Sequence, residues 1–302
     1  MIKRLLILLL AIQAAGVLAL AAGVHHWWRL GWPASVGVGL AVLLLVRMAI
    51  SANNFVLSRR AASVTPAAHA LNPARAASLF LHEFCSSMLT SSWYMLNTVG
   101  LQLQPQALGL PVLLIHGYAC NSGYWLPMSK LLARARISHY GIDLEPPGAS
   151  IDDFAPQVDA AVERLCAATG SARVVLLCHS MGGLVARAYL RRYGHARIAR
   201  VVTLGTPHHG TALANLGPGS NAAQMRRGSE WLGSLAASEA NLQRTLFSSI
   251  YSVHDNIIAP QDSSELPGAR NLVFGAIGHV ALGRHPEIMR CALAEIEAAS
   301  QL

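Results

Sequence analysis

The stretch Val174-Val-Leu-Leu-Cys-His-Ser-Met-Gly-Gly183 is an apolar run that passes straight into small residues. Five consecutive apolar side chains from Val174 to Cys178 predict a strand buried on both faces. The glycines Gly182 and Gly183 then let a helix start close against the strand it follows. A serine carried on so tight a strand-to-helix turn is lifted above the sheet, provided that its neighbours two positions away on either side are small. Gly182 meets that demand behind Ser180. In front, Cys178 stands where glycine is usual and is still small. Cys178, His179 and Gly182 thus form the elbow around a candidate nucleophile, Ser180; the plainer alternative is a serine that caps the following helix.

Outward from this elbow, short β-rich runs alternate with longer helical ones. Val112 to Ile115, His139 to Leu144, Val174 to Cys178, Val201 to Leu204, Ile250 to Val253 and Leu272 to Ala276 read as strands. Their separations suit crossover helices, which predicts a mostly parallel sheet with helices on both faces. Ser150-Ile-Asp-Asp153 has the form of a capping box opening a helix with Val158, Val162 and Leu165 on its apolar face. Residues 111–302 are therefore expected to be one α/β catalytic domain. The segment 211–247 is long for a crossover and is a candidate cap, with Trp231, Leu232, Leu235 and Leu242 as its apolar face, although packing against the core explains those residues equally well. Residues 51–110 read as a connector with one helical patch, Ala74 to Met88.

Acyl transfer from an ester needs backbone N–H donors for the tetrahedral oxyanion, one after the nucleophile and one from a loop after an earlier strand. The amides of Met181 and Tyr118 fit these places, the latter in His116-Gly117-Tyr118-Ala119. His116 itself reads as a residue that fixes this loop.

Taken together, Leu-Ile-His-Gly-Tyr118, Cys-His-Ser-Met-Gly-Gly183, Leu-Gly-Thr-Pro-His-His-Gly-Thr211, Tyr251-Ser-Val-His-Asp-Asn-Ile-Ile-Ala-Pro260 and Gly278-His279 resemble the bacterial lipase and esterase branch of the α/β-hydrolase superfamily. The resemblance covers roughly Pro111 to the C-terminus. It implies an α/β-hydrolase fold and hydrolysis of carboxylic esters, often acyl lipids, through Ser, Asp and His in that chain order. Asp255, just after the fifth run, occupies the acid's place, with Asp262 as the alternative. His279 follows the last strand and occupies the base's place; His285, before Pro286, is its competitor. His208, His209 and His254 read as structural or pocket-lining. The reaction needs no metal and no organic cofactor. A thioesterase or acyltransferase on the same three residues, and a non-catalytic scaffold of the same fold, are the readings from other classes.

The N-terminus carries a second message. The chain has 302 residues, 53% of them hydrophobic, and a mean hydropathy of +0.39, high for a wholly water-exposed protein. Leu5 to Val24 is apolar except for Gln13, and Pro33 to Ile50 is a second such run with Arg47 near its end. At about 1.5 Å per residue the first reaches roughly 30 Å, a bilayer core. Trp27, Trp28 and Trp32 between the runs suit a headgroup-level turn. Residues 1–50 are thus expected to be a transmembrane helical hairpin. Lys3 and Arg4 before it, and Arg47, Arg59 and Arg60 at and beyond its end, favour both ends, and the catalytic domain, on the cytoplasmic side of a bacterial inner membrane. The alternative is export, with Ala19-Leu20-Ala21 as a signal-peptide cleavage pattern. The formal charge of +8 comes without a helix-turn-helix, zinc or aromatic RNA-binding motif, so nucleic acid is not an expected partner. The expected partners are an ester or lipid substrate and the membrane. The five cysteines show no metal-ligand spacing and read as reduced thiols.

Overall fold

In the computed structural model, which describes residues 1–239 and 244–301, the Val174 run lies at the centre of a seven-stranded sheet. The strands are β1 (Leu101–Gln102), β2 (Val112–Ile115), β3 (His139–Ile142), β4 (Val174–His179), β5 (Ile198–Leu204), β6 (Phe247–Ser252) and β7 (Arg270–Phe274). Across the sheet they run β1-β3-β2-β4-β5-β6-β7. β1 is antiparallel to β3, and every other neighbouring pair is parallel. This is the α/β-hydrolase fold, with helices on both faces.

Side chains alternate along a strand, so an all-apolar strand feeds two cores at once. Leu113, Ile115, Leu176 and Cys178 point into one core, covered by α5 (Ile151–Thr169), α6 (Met181–Tyr193) and α8 (Glu230–Ala237). Val112, Leu114, Val175 and Leu177 point into the other, covered by α4 (Leu126–Arg134) and α9 (Pro286–Ala299). The capping box forms as expected: Ser150 Oγ accepts from the Asp152 amide and Asp153 Oδ2 from the Ser150 amide. β6 starts three residues before the expected Ile250. Its second and third residues, Ser248 and Ser249, are polar, yet buried, because their hydroxyls donate to Glu295 Oε2 (2.5 Å) and Ser264 O (2.6 Å).

The insert after β5 divides into two parts. Leu232 and Leu235 of α8 join the core beneath α5 and α6, and Trp231 Nε1 donates to Asp152 Oδ2 at 2.8 Å. That apolar face is therefore packing. The other part, a 3-10 turn at Ala212–Leu216 and α7 (Ser220–Gln224), lies by the loop after β2, where Tyr118 Oη donates to Pro218 O at 2.7 Å. Leu242 lies outside the described residues.

The N-terminus forms α1 (Ile2–Trp28) and α2 (Trp32–Arg60), a hairpin closed by a three-residue turn in which Arg29 is left-handed. Both helices are long and apolar enough to cross a membrane, and only 11% and 17% of their apolar windows are buried, unlike core helices. They approach closely at Gly39, where a Cβ would stand 2.7 Å from the Val17 carbonyl oxygen. α2 continues ten residues past the expected Ile50, and α3 spans Pro73–Ser92, longer at both ends than the patch Ala74 to Met88. The continuation is fixed by packing: Phe55 of α2 meets Phe80 of α3, which stacks on Phe84. Arg47 ties the three helices together, donating to Gln13 Oε1 on α1 (2.6 Å) and to Ser91 and Ser92 on α3 (3.3 and 3.1 Å).

An arginine–glutamate pair has both side chains almost fully out of water. Arg187 of α6 donates to both carboxylate oxygens of Glu239 (2.5 and 2.9 Å) and to His208 O (2.9 Å). Removing Arg187 leaves the Glu239 carboxylate in a low-dielectric interior with only the half-buried Arg244, whose Nε donates to Oε2 at 3.3 Å. Arg187→Met is expected to lower stability by about 3–5 kcal/mol, read as a shift of the denaturant midpoint. Arg192→Met, on the exposed side of the same helix, should change it by no more than about 0.5 kcal/mol.

Candidate active site

Ser180 sits between β4 and α6 with φ 54° and ψ −125°. A non-glycine residue there costs on the order of 1–3 kcal/mol, so its surroundings must hold it. They do so from β5: the Ser180 amide donates to Leu204 O (2.9 Å), and Thr206 Oγ1 donates to Ser180 O (2.8 Å). Absent side chains make the rest of the room. A Cβ at Gly182 would stand 2.5 Å from Ile115 O and 2.8 Å from His116 O, and one at Gly117 would stand 2.9 Å from Ser180 Cβ. Cys178 points away into the core, where burial raises its thiol pKa and keeps it protonated.

The loop after β2 is set by His116. Its Nε2 accepts from the Leu144 amide (3.0 Å), so Nδ1 carries the proton and donates to Gly117 O (2.8 Å). Burial lowers the pKa of this imidazole and keeps it neutral. Among the described residues the amides of Tyr118 and Met181 donate to no backbone or side-chain acceptor. Both are therefore free for an oxyanion.

Asp255 follows β6 and His279 follows β7, and the two meet: His279 Nδ1 donates to Asp255 Oδ2 at 2.7 Å, with both residues buried. The other oxygen, Oδ1, accepts from the amides of Ile257 and Ile258 at 2.8 Å each. That arrangement fixes the imidazole with Nδ1 protonated and Nε2 as the free base. Burial pushes the His279 pKa down, but the Asp255 charge, its hydrogen bond and the Glu83 charge outweigh it and leave the pKa above the ordinary value. The pair and the serine share one anchor, because Gly205, next to the Leu204 carbonyl that holds Ser180, lies against them. A Cβ on Gly205 would be 3.1 Å from Asp255 Oδ2 and 3.2 Å from His279 Nδ1. No hydrogen bond joins Ser180 Oγ to His279 Nε2 among the described residues, a contact that unliganded sites often leave to the substrate complex.

His179 fills the gap behind the base. Its ring stacks on Tyr124 (4.2 Å), lies 4.6 Å from the His279 ring, and its Nε2 donates to His279 O at 3.1 Å. Burial, then the neighbouring His279, hold its pKa well below the usual value, so it stays neutral. The competitors have other tasks. His285 stands at the start of α9 with its ring edge-on to His82, His209 Nε2 donates to Glu265 O, and His254 Nδ1 accepts from the Ala276 amide. His208 is buried beside Thr203, and Asp262 lies in the 3-10 turn Gln261–Ser264.

Four contributors were not singled out from sequence. Thr211 Oγ1 donates to Ile257 O (2.7 Å) and accepts from the Ala259 amide (3.1 Å), bracing the acid loop. Asn256 Oδ1 accepts from the His279 amide at 2.9 Å. Gln261 Nε2 donates to Asp255 O (2.9 Å), while its Oε1 accepts from the Ser63 amide (3.1 Å). Glu83 of α3 accepts from the amides of Val280 (2.9 Å) and Ala281 (3.0 Å). Thr211 and Asn256 lie in quoted motifs, whereas Glu83 pairs across some two hundred residues without any local signal. Among the described residues no three His, Cys, Asp or Glu side chains gather as metal ligands.

Comparison with known proteins agrees with this architecture. The family model for the alpha/beta hydrolase fold matches residues 111–228, a stretch that includes Ser180 and ends before Asp255 and His279. Two proteins named triacylglycerol lipase, from Pseudarthrobacter phenanthrenivorans and Burkholderia plantarii, are each 33% identical over 118 residues, 35% of this chain. The match spans only 35% and 31% of those relatives' own lengths. Among solved structures, the mature lipase BlEst2 of Bacillus licheniformis superposes with a TM-score of 0.56 at 19% identity, covering 62% of this chain and 92% of that one. Lipase B of Aspergillus fumigatus gives 0.55 at 19% identity, covering 64% and 55%. These likenesses establish the fold.

The crowding at Gly205 generates a test. Gly205→Ala adds a methyl against Leu282, Asp255 and His279 at a residue with φ 56°. Displacing a base by about 1 Å costs roughly a hundredfold in rate. The rate of Ser180 labelling by a fluorophosphonate is expected to fall by that order, and Gly233→Ala, where a Cβ meets nothing within 4 Å, should leave it unchanged.

Proposed function

We propose that this protein is a serine hydrolase that cleaves carboxylic esters, with acyl lipids as its substrate class, and that it is held to a membrane by its N-terminal hairpin. The observation that carries the reading is the buried Asp255–His279 pair abutting the same end of β5 that holds Ser180. In this reading His279 Nε2 takes the hydroxyl proton as Ser180 Oγ attacks the ester carbonyl. The amides of Tyr118 and Met181 receive the oxyanion. Collapse of the tetrahedral intermediate expels the alcohol, which leaves with the proton from His279. Water, deprotonated by the same histidine, then releases the acid and restores Ser180. The segment Ala212–Gln224, beside Tyr118, is the part of the insert suited to act as a cap.

The membrane reading is supported by the exposed apolar flanks of α1 and α2, including Leu8, Ile12, Leu18, Leu45 and Ile50. Trp27, Trp28 and Trp32 crowd the turn at one end. Arg47 lies fifteen residues beyond Trp32, about 23 Å along the helix, where it meets polar groups of α1 and α3. The bond from the Met1 amino group to Glu145 supports placing the first residue and the α/β domain on one side. We assign that side to the cytoplasm of a bacterial inner membrane, from the flanking basic residues.

Two experiments test these assignments. Purified protein should hydrolyse a chain-length series of p-nitrophenyl acyl esters, and Ser180→Ala should lose about a thousandfold or more of that activity. Equal turnover by the variant would remove the serine mechanism; no turnover by either, with acyl transfer to an added alcohol or thiol, would favour the acyltransferase reading. For topology, a reporter fused after Arg60 should be active in the cytoplasm, and periplasmic activity would favour export.

A further inference from the structure

We propose that Glu83, on the helix that follows the membrane hairpin, is a positioning residue of the active site: its carboxylate holds the loop that carries His279 toward Ser180. The inference rests on the serine-hydrolase reading given above.

β7 is the last strand of the sheet, so the loop that leaves it has a neighbouring strand on one side only. On that open side stands α3. Glu83 is 2% exposed, and its two oxygens accept from the amides of Val280 and Ala281, the two residues after His279. Gly278, the residue before His279, presses on the same carboxyl group: a Cβ there would stand 2.5 Å from Glu83 Cδ and Oε2. The loop is thus gripped on both sides of the base. Any side chain at Gly278 would open that grip, which gives this glycine a physical role.

Burying a carboxylate is costly unless it is well paired, and two backbone amides could be satisfied by a neutral acceptor. What a charge adds is a field at the imidazole, which becomes cationic as it takes the serine proton. Glu83 and Asp255 both act on His279 in the sense that favours its protonated form. The other titratable groups packed here are His179, stacked between Tyr124 and His279, and Tyr124 itself. Burial holds the first neutral and raises the second. Burial raises the pKa of Glu83 itself, against which the Val280 and Ala281 amides and the neighbouring His279 favour its ionised form; in that form Glu83 differs from the remaining neighbours in supplying a second negative charge. It reaches the site from α3, the helix that Arg47 fastens to the hairpin.

The test uses the full chain in detergent, with the preferred p-nitrophenyl ester, and compares Glu83→Gln and Gly278→Ala with Ser180→Ala. Glu83→Gln should lower kcat by about tenfold or more with KM nearly unchanged. The acid limb of its kcat/KM profile should move to lower pH, because losing a nearby negative charge favours the neutral imidazole. Gly278→Ala, which displaces the loop and keeps the charge, should lower kcat while leaving the acid limb at the parental pH. Parental kcat and acid limb in Glu83→Gln, alongside an inactive Ser180→Ala, would overturn this inference and leave the hydrolase reading intact. A kcat loss in Glu83→Gln matched by an equal loss of fluorophosphonate-titratable protein, with the acid limb unmoved, would assign Glu83 to folding and overturn it too. Full activity in Ser180→Ala would instead bring down the hydrolase reading itself.

Discussion

The constraint on which the rest depends is the meeting of three backbones at Ser180. β4 ends there, α6 begins there, and the loop after β2 passes so close that Gly117 and Gly182 can carry no Cβ without striking Ser180 or the carbonyls of Ile115 and His116. A serine held at positive φ stores strain, and strain persists only where the surroundings over-determine it. Here β5 supplies the hold through Leu204 O and Thr206 Oγ1. The same crowding brings the loop that continues into Tyr118 against the turn that continues into Met181. The proposed nucleophile and the proposed oxyanion donors thus depend on one packing arrangement.

That arrangement was legible in sequence because it is local. An apolar run ending in small residues admits few structures, and the paired apolar faces of β2 and β4 follow from the same run composition. The Ser150 capping box, likewise a short-range pattern, formed as read. Elements stabilised by distant partners were read less well. Ser248 and Ser249 conceal the start of β6, since only Glu295 and Ser264 O make their burial tolerable. Residues 51–60, rich in Ser and Asn, read as connector, yet they extend α2 because Phe55 finds Phe80. In each case tertiary packing overrode a weak local preference.

The site divides along the same line. Asp255 and His279 were found by their places after strands and by a motif resemblance, and the structure brings them to 2.7 Å. Their supports are not legible in the same way: Gln261 and Asn256 bond to backbone groups 6 and 23 residues off, and Glu83 to amides 197 and 198 residues away. Thr211 shows the intermediate case: it lies inside a recognisable motif, but its task, bridging Ile257 O and the Ala259 amide, appears only once the acid loop folds beside it.

These supports also give the segment after the N-terminal hairpin a structural task. The loop bearing Ser180 lies mid-sheet and is held by β2 and β5. The loops bearing Asp255 and His279 lie toward the β7 edge, where the sheet runs out of strands. Their outer contacts come from residues 63–83: Ser63 reaches Asp255 through Gln261, His69 packs on Gly275, and Glu83 grips the turn after His279. An edge loop without such contacts would open at little cost, since few buried groups would resist it. The segment that leads out of the hairpin therefore does for Asp255 and His279 what β5 does for Ser180, and removing it would leave Ser180 in place with the two edge loops unsupported.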